Sequence, residues 1–321
     1  MRAGLAVTVS RRLRALAALV GIGALGIGVW AAGVWAADRP DAGAQAEFLA
    51  SIPLVAEDGA TLQGISGVAI LSGGARFLAL SDHAALFVGE IRRDSRGVPR
   101  RLGPVARVAL RGMQGQTLYK MQGDSEGLAL GRRGAIWISF EGKHRIARYD
   151  LARGTALSAR AEVPPPPQVT EFGENSGMEA LALAPDGALW TMSETPHQSV
   201  FVIWRHAAGR WTRAGAIARD GAFMAVGADF GPDGRLYLLE RAFWGPLGFV
   251  SRLRRFAPAD LAGGAPQMGQ VLMTSVLGQY DNLEGLAVWR DGAGRLRASM
   301  VSDDNFRSFQ RAQLVEYRLP D

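Results

Sequence analysis

Five times along the chain a short apolar strand opens on an acidic or small polar residue, turns, and is followed by a second strand ending in a carboxylate. The copies begin at residues 64–69, 125–130, 178–183, 228–230 and 283–288. Aligned on Ser66, Glu126, Glu179, Asp229 and Glu284, they recur at intervals of 60, 53, 50 and 55 residues. Their second strands end at Asp82, Glu141, Glu194, Glu240 and Asp303, which lie 16, 15, 15, 11 and 19 residues further on. Self-similarity at this period marks a repeat architecture, and the unit that fits it is a four-stranded blade. The expected fold is all-β: a single β-propeller of four-stranded antiparallel sheets behind an N-terminal apolar helix. Five blades can be counted. A sixth would have to lie, with its pattern lost, in the longer stretch before Asp124.

The turns support this division. Ser72-Gly73-Gly74, Arg133-Gly134, Pro185-Asp186-Gly187, Pro232-Asp233-Gly234 and Asp291-Gly292 each fall between the first and second strands of a unit, where tight hairpins need residues that tolerate positive φ. Third strands are expected at 85–91, 145–151, 200–205, 251–256 and 313–319. Fourth strands are expected at 105–110, 159–163, 211–217 and 270–276. The fifth unit runs out of chain after three strands, and residues 47–54, stranded before the first unit, are expected to supply the missing one and close the ring.

Composition narrows the class. Hydrophobic residues make up 48% and charged residues 21%, a globular balance. Of the net charge of +6, four units come from Arg2, Arg11, Arg12 and Arg14. The body keeps 6 − 4 = +2, too little to argue for nucleic acid. Lys120 and Lys143 are the only lysines, which reads as coding bias. The chain has no cysteine, so disulfides, thiolate nucleophiles and cysteine zinc sites are excluded. Residues 15–37 carry no charge and follow Arg11, Arg12 and Arg14; the run is longer than an ordinary signal peptide's apolar core and long enough to span a bilayer. Residues 1–37 are therefore expected to be a signal peptide or N-terminal membrane anchor, 38–46 a linker and 47–321 the propeller. The expected location is the periplasm or the extracellular face, held at the inner membrane through residues 15–37 if the leader is retained, with the protein a monomer.

Closing the ring should bring most of the repeated acids to one axis: Asp82, Glu126, Glu141, Glu179, Glu194, Glu240, Glu284 and Asp303, with Asn175, Asn282 and Asn305. Two carboxylates ~6 Å apart repel by roughly 3 kcal/mol at an effective dielectric near 20. Such a ring must protonate, take in Arg or bind a cation, and oxygen-only ligands point to Ca²⁺ or Mg²⁺. The plainer reading is a metal-free plug in which the acids accept hydrogen bonds or pair with Arg241 and Arg145. His83 and His197 flank two of the acids. Phe243 and Trp244, in a Gly/Pro-bearing loop beside Arg241, could form a ligand-facing wall. Residues 123–127 satisfy the G-x-S-x-G pattern, but a nucleophile elbow needs a helix after the serine, and here a strand follows; Ser125 is not expected to be a nucleophile.

Phe77–Asp82, Glu126-Gly127-Leu128-Ala129 with Trp137–Glu141, and Gly177–Leu181 with Ser193–Pro196 resemble successive landmarks of the phytase-like domain, the family described as "esterase-like activity of phytase". Leu239-Glu240-Arg241 and Asn282–Leu286 followed by Ser302–Phe306 resemble its last two. The resemblance runs in order from about residue 60 to the C-terminus. It implies an exported propeller with phosphoesterase or esterase activity on a small-molecule substrate. On that reading Ca²⁺ would be held by several of Asp82, Glu126, Glu179, Glu284 and Asp303. Glu141 or Glu194 would act as general base, and Arg241 would neutralise developing charge. No Lys/Arg-rich phosphate clamp is evident beside the acids; Arg241 and Arg307 are the best available, so phytate itself is not expected. Two other classes stay open: a non-enzymatic binding propeller, and a lactonase of the gluconolactonase type.

Overall fold

The computed structural model describes residues 45–167, 177–197, 199–304 and 310–321. The leader, Asn175, Asn305 and Arg307 lie outside them. Among the described residues no helix is long and apolar enough to cross a membrane.

Five antiparallel blades stand where the repeat places them. The first is built from β2 (Ile65–Leu71), β3 (Arg76–Ser81), β4 (Ala85–Arg93) and β5 (Pro99–Arg111). The second holds β6 (Ser125–Leu130), β7 (Ala135–Phe140), β8 (Arg145–Asp150) and β10 (Ala161–Val163). The third holds β11 (Ala180–Leu183), β12 (Leu189–Met192), β13 (Val200–Ala207) and β14 (Arg210–Ala218). In the fourth are β15 (Met224–Phe230), β16 (Leu236–Phe243), β17 (Phe249–Phe256) and β18 (Gln270–Thr274). The fifth is β19 (Asn282–Arg290), β20 (Leu296–Asp303), β21 (Gln313–Arg318) and, as its outer strand, β1 (Glu47–Pro53). Glu47 faces Arg318 and Pro53 faces Gln313, so the first strand closes the last blade as expected. The long stretch before Asp124 is taken up by the β4–β5 hairpin, whose strands run to 9 and 13 residues, and no sixth sheet occurs among the described residues. One strand was not anticipated. β9 (Ala156–Ser158) leaves the second blade to pair in parallel with β5 of the first, Ala109 opposite Ala156.

The turns work as their chemistry requires. Gly187 and Gly234 sit at φ 86° and 76°. The preceding aspartates accept the backbone N–H two residues on, Ala188 to Asp186 at 3.0 Å and Arg235 to Asp233 at 3.3 Å.

The innermost strands β2, β6, β11, β15 and β19 pack side by side around the axis. Their approach is limited by glycine. A Cβ on Gly127 would stand 2.6 Å from the Glu179 carbonyl oxygen, and one on Gly227 2.4 Å from that of Glu284. Both obstacles are backbone and cannot swing aside. Gly227→Ala is therefore expected to destabilise the protein by about 1–3 kcal/mol, read as a lowered urea midpoint at unchanged slope; an unchanged midpoint would show that the ring can widen freely.

These contacts also fix the register of the units, and they correct the alignment of the fourth. Bulges fall at Ile65/Gly67, Ser125/Leu128, Ala225/Gly227 and Leu283/Gly285, so the place of Ser66, Glu126 and Glu284 is taken in the fourth blade by Val226. Asp229 lies three residues too late. Its Oδ2 accepts the Val288 N–H of the next blade at 2.7 Å, and burial pushes its carboxyl up to about 7. A raised folded-state pKa means that the folded form binds more protons than the unfolded chain between about pH 4 and about pH 7, so this group costs stability as pH rises through that window. Asp229→Asn, which keeps an acceptor for Val288, is expected to flatten that fall in urea midpoints taken on either side of the window.

Candidate functional site

The first strand of each blade begins, and the second ends, on the same face of the ring. That alternation places most of the candidate acids at one mouth. Glu126 and Glu284 open β6 and β19, and Glu179 immediately precedes β11; Glu179 and Glu284 line the axial channel with Ser66, Gly127 and Gly285. Period-2 alternation then adds a second polar group to two of these strands, Asp124 two residues before Glu126 and Asn282 two before Glu284.

The acids divide into two groups. In the first, one carboxylate oxygen each from Asp124, Glu126 and Glu141 lies within 4.8 Å of the others. Glu141 Oε1 accepts the Gly177 N–H at 2.8 Å, and the Glu141 N–H donates to the Asp124 carbonyl at 2.8 Å. Burial and then the Glu179 and Glu284 charges hold Glu126 well above the usual carboxylate range. Burial, with Asp124 next, pushes Glu141 up to about 7. Asp124 is raised by burial as well. Three hard oxygen donors, with neither His nor Cys among them, suit Ca²⁺ or Mg²⁺ and not zinc.

The second group surrounds Arg241 of β16. Its guanidinium donates to Glu194 Oε1 at 2.9 Å and also reaches Glu284 Oε1 and Asn282 Oδ1. Asn282 Nδ2 donates to Glu284 Oε1 at 2.6 Å. Glu179 stands close enough to raise the Arg241 pKa together with Glu284 and Glu194. Burial raises Glu284 and Glu179 above their ordinary values, and Arg241 pulls both part of the way back. This is the internal neutralisation that the plainer sequence reading offered; Arg145, the other named partner, instead binds the Lys143 and Gln122 carbonyls and pairs with Glu162.

The remaining candidates are placed less centrally. Asp82 pairs with His83 and is raised chiefly by burial, Asp124 adding a little. Asp303 is buried at the end of β20, opposite Asn282. Glu240 does not join the mouth. It points away from Arg241, as alternation demands, into a buried network with Arg252 Nε at 2.9 Å and Arg254 Nε at 2.7 Å. Ser125 is fully buried in β6, its hydroxyl donating to the Ser81 carbonyl at 2.6 Å, which removes it as a nucleophile. Phe243 and Trp244 are exposed beside Leu247, and Phe243 stacks obliquely on Phe249 at 4.9 Å. Asp124 is the one member of the carboxylate triad that sequence reasoning missed. Its signal was the i, i+2 spacing to Glu126 on a strand.

No curated protein matches the chain. Among solved structures, an α-L-arabinofuranosidase from Podospora anserina crystallised with cellotriose is similar over 86% of this chain and 98% of its own, at 13% identity and a TM-score of 0.50. A virginiamycin B lyase from Staphylococcus aureus is similar over 84% and 99%, at 12% identity and a TM-score of 0.42. For the arabinofuranosidase, identity this low speaks to architecture alone. The family described as phytase-like, "esterase-like activity of phytase", matches residues 60–306. With that match spanning most of a five-bladed ring, the chain belongs to the phytase-like family.

Proposed function

We propose that this protein is a Ca²⁺-dependent hydrolase of ester or phosphoester bonds, acting at the acidic mouth of the propeller. The observation that carries the reading is the convergence of Asp124, Glu126 and Glu141 within 4.8 Å, in surroundings that penalise their charge. Those three residues would hold the ion, and a bound divalent cation supplies Lewis-acid polarisation and a water of lowered pKa. Glu179, pushed by burial well above the usual carboxylate range, would be the acid that protonates a leaving oxygen. Glu194 and Glu284 share the Arg241 guanidinium, which keeps this half of the mouth ordered and offsets part of its negative charge. Export is part of the same proposal: the uncharged run 15–37 behind three arginines suits delivery across the inner membrane, with or without retention as an anchor.

The test is hydrolysis of p-nitrophenyl phosphate, p-nitrophenyl butyrate and a sugar lactone, before and after EDTA and after Ca²⁺ is restored. Loss and recovery on either ester supports the reading, and turnover of the lactone alone would make the protein a lactonase. Metal-replete protein that turns over none of the three is a binding propeller whose acids are structural.

A further inference from the structure

The small net charge of the body conceals a segregation. In each blade the turn between first and second strands, and the connection from third to fourth, lie on the face away from the mouth. In the first two blades these segments are 72–76, 90–101, 131–134 and 150–155. They hold nine arginines and three acids, 9 − 3 = +6. The matching segments of the other three blades are 45–47, 184–188, 205–210, 231–235, 256–270, 290–295 and 318–321. They hold six arginines and six acids, 6 − 6 = 0. Residues 15–321 sum to +2, so everything else carries 2 − 6 = −4. The ring thus has an acidic mouth and, on its other face, a basic sector confined to two blades whose inner strands β2 and β6 pack together.

The sector is braced from beneath. Arg93 donates to the Gly74 carbonyl at 2.7 Å, the Gly97 carbonyl at 2.9 Å and Glu316 Oε2 at 2.8 Å. Arg297 of the fifth blade reaches the Gly97 carbonyl at 3.1 Å. These bonds fasten the β4–β5 hairpin to the 72–74 turn and to the neighbouring blade. On this frame Arg76, Arg96, Arg132 and Arg133 are exposed, and none of their side chains forms an ion pair or hydrogen bond among the described residues. The chain also enters the ring at this face. Glu47 opens β1 opposite Arg318, which ends β21, and the fifth blade adjoins the first through β19 and β2. Nine residues, 38–46, join the uncharged run 15–37 to β1, and fully extended they span roughly 30 Å. A bilayer that holds the run therefore lies within reach of the basic sector, and an anionic one complements its charge.

We propose that the basic sector of the first and second blades seats on an anionic phospholipid bilayer and so turns the mouth toward the solvent. The seat rests on the reading of residues 15–37 as an export signal that stays as an anchor, and it is independent of the chemistry at the mouth. Arginines beside an anionic lipid surface are attracted within about a Debye length. The acids at the other end of the ring are repelled by the same surface, so one field both holds and orients the molecule.

The absence of cysteine allows one reporter to be placed at will. Ser95, at the tip of the β4–β5 hairpin, and Gln114, beyond the mouth end of β5, are both exposed. The full-length chain carrying S95C or Q114C is labelled with a fluorescent donor. It is then reconstituted into nanodiscs of phosphatidylcholine, or of phosphatidylcholine and phosphatidylglycerol in equal parts, with an energy acceptor on the headgroups. Transfer from position 95 should rise at least about twofold from neutral to anionic discs and fall back in about 1 M salt. Position 114 should show no such rise. R76Q/R96Q/R132Q/R133Q should abolish the rise at position 95, and the four lysine replacements at the same positions should keep it. No rise in wild type, a rise that survives the glutamines, its loss with the lysines, or an equal rise at position 114 overturns the seat. Wild type that shows no rise yet binds dextran sulfate assigns the sector to a soluble polyanion instead. If the chain enters neither disc, the anchor reading fails, and the seat is judged by the same criterion from co-sedimentation of these variants with vesicles of the two compositions.

Discussion

Replacing Arg241 with methionine is expected to destabilise the protein by about 3–5 kcal/mol at neutral pH, the usual consequence of removing one partner from a buried charge group. The side chains of Arg241, Glu194 and Glu284 are only 17%, 15% and 15% exposed, so water replaces little of what the guanidinium supplies. Methionine fills much of the same volume, and the loss is therefore electrostatic and not a cavity. The carboxylates have one escape, protonation, and it sets the pH dependence. At about pH 5 the orphaned acids can take up protons and the penalty shrinks; near pH 8 they cannot do so cheaply, and it is largest. Urea unfolding of wild type and Arg241→Met at both pH values measures this directly. A loss that is small or independent of pH would mean that Arg241 is not the counter-ion of the mouth. Arg241→Met combined with Glu284→Gln should recover part of the loss, since a neutral amide no longer needs the cation.

The second large effect concerns calcium. Glu126 and Glu141 are raised by burial and by their neighbours, Glu141 to about 7, so without an ion the triad holds protons near neutrality. An ion must displace them. Calcium affinity is accordingly expected to climb as pH rises through about 7 and to fade below about 6, with protons released on binding and visible as a buffer-dependent heat. Glu126→Gln together with Glu141→Gln removes two of three charged donors. Loss of an outer-shell partner alone typically costs 10–100-fold in metal affinity, so the double substitution should exceed about 100-fold. Thermal shift with added Ca²⁺ gives an independent reading: wild type should gain stability with ion concentration, and the double variant should not. Affinity that is flat between about pH 5.5 and about pH 8 would separate the ion from these carboxyls.

The blades were legible because their punctuation is local. Asp-Gly turns, apolar runs and acid-ended second strands each follow from a few neighbouring residues, and even the closure by residues 47–53 could be reached by counting strands. The site was less legible for reasons that are also physical. Glu240 and Arg241 are adjacent, so alternation sends one into the arginine network of the blade and the other to the mouth, and the sequence does not say which. Asp229 mimics the aligned acids because an aspartate among apolar residues looks alike whether it faces the axis or caps Val288. Asp124 was missed because alignment on one acid per unit hides a partner two residues away.

The pairing of β1 with β21 carries a consequence for biogenesis. β1, made before every other described strand, finds its hydrogen-bonding partner only when β21, the last of them, has been made. Until then one blade has an open flank and the circle is a horseshoe, with its unpaired edge available to other molecules. Closure of the ring therefore waits for both strands, and removing either β1 or β21 should leave a ring that cannot be fastened.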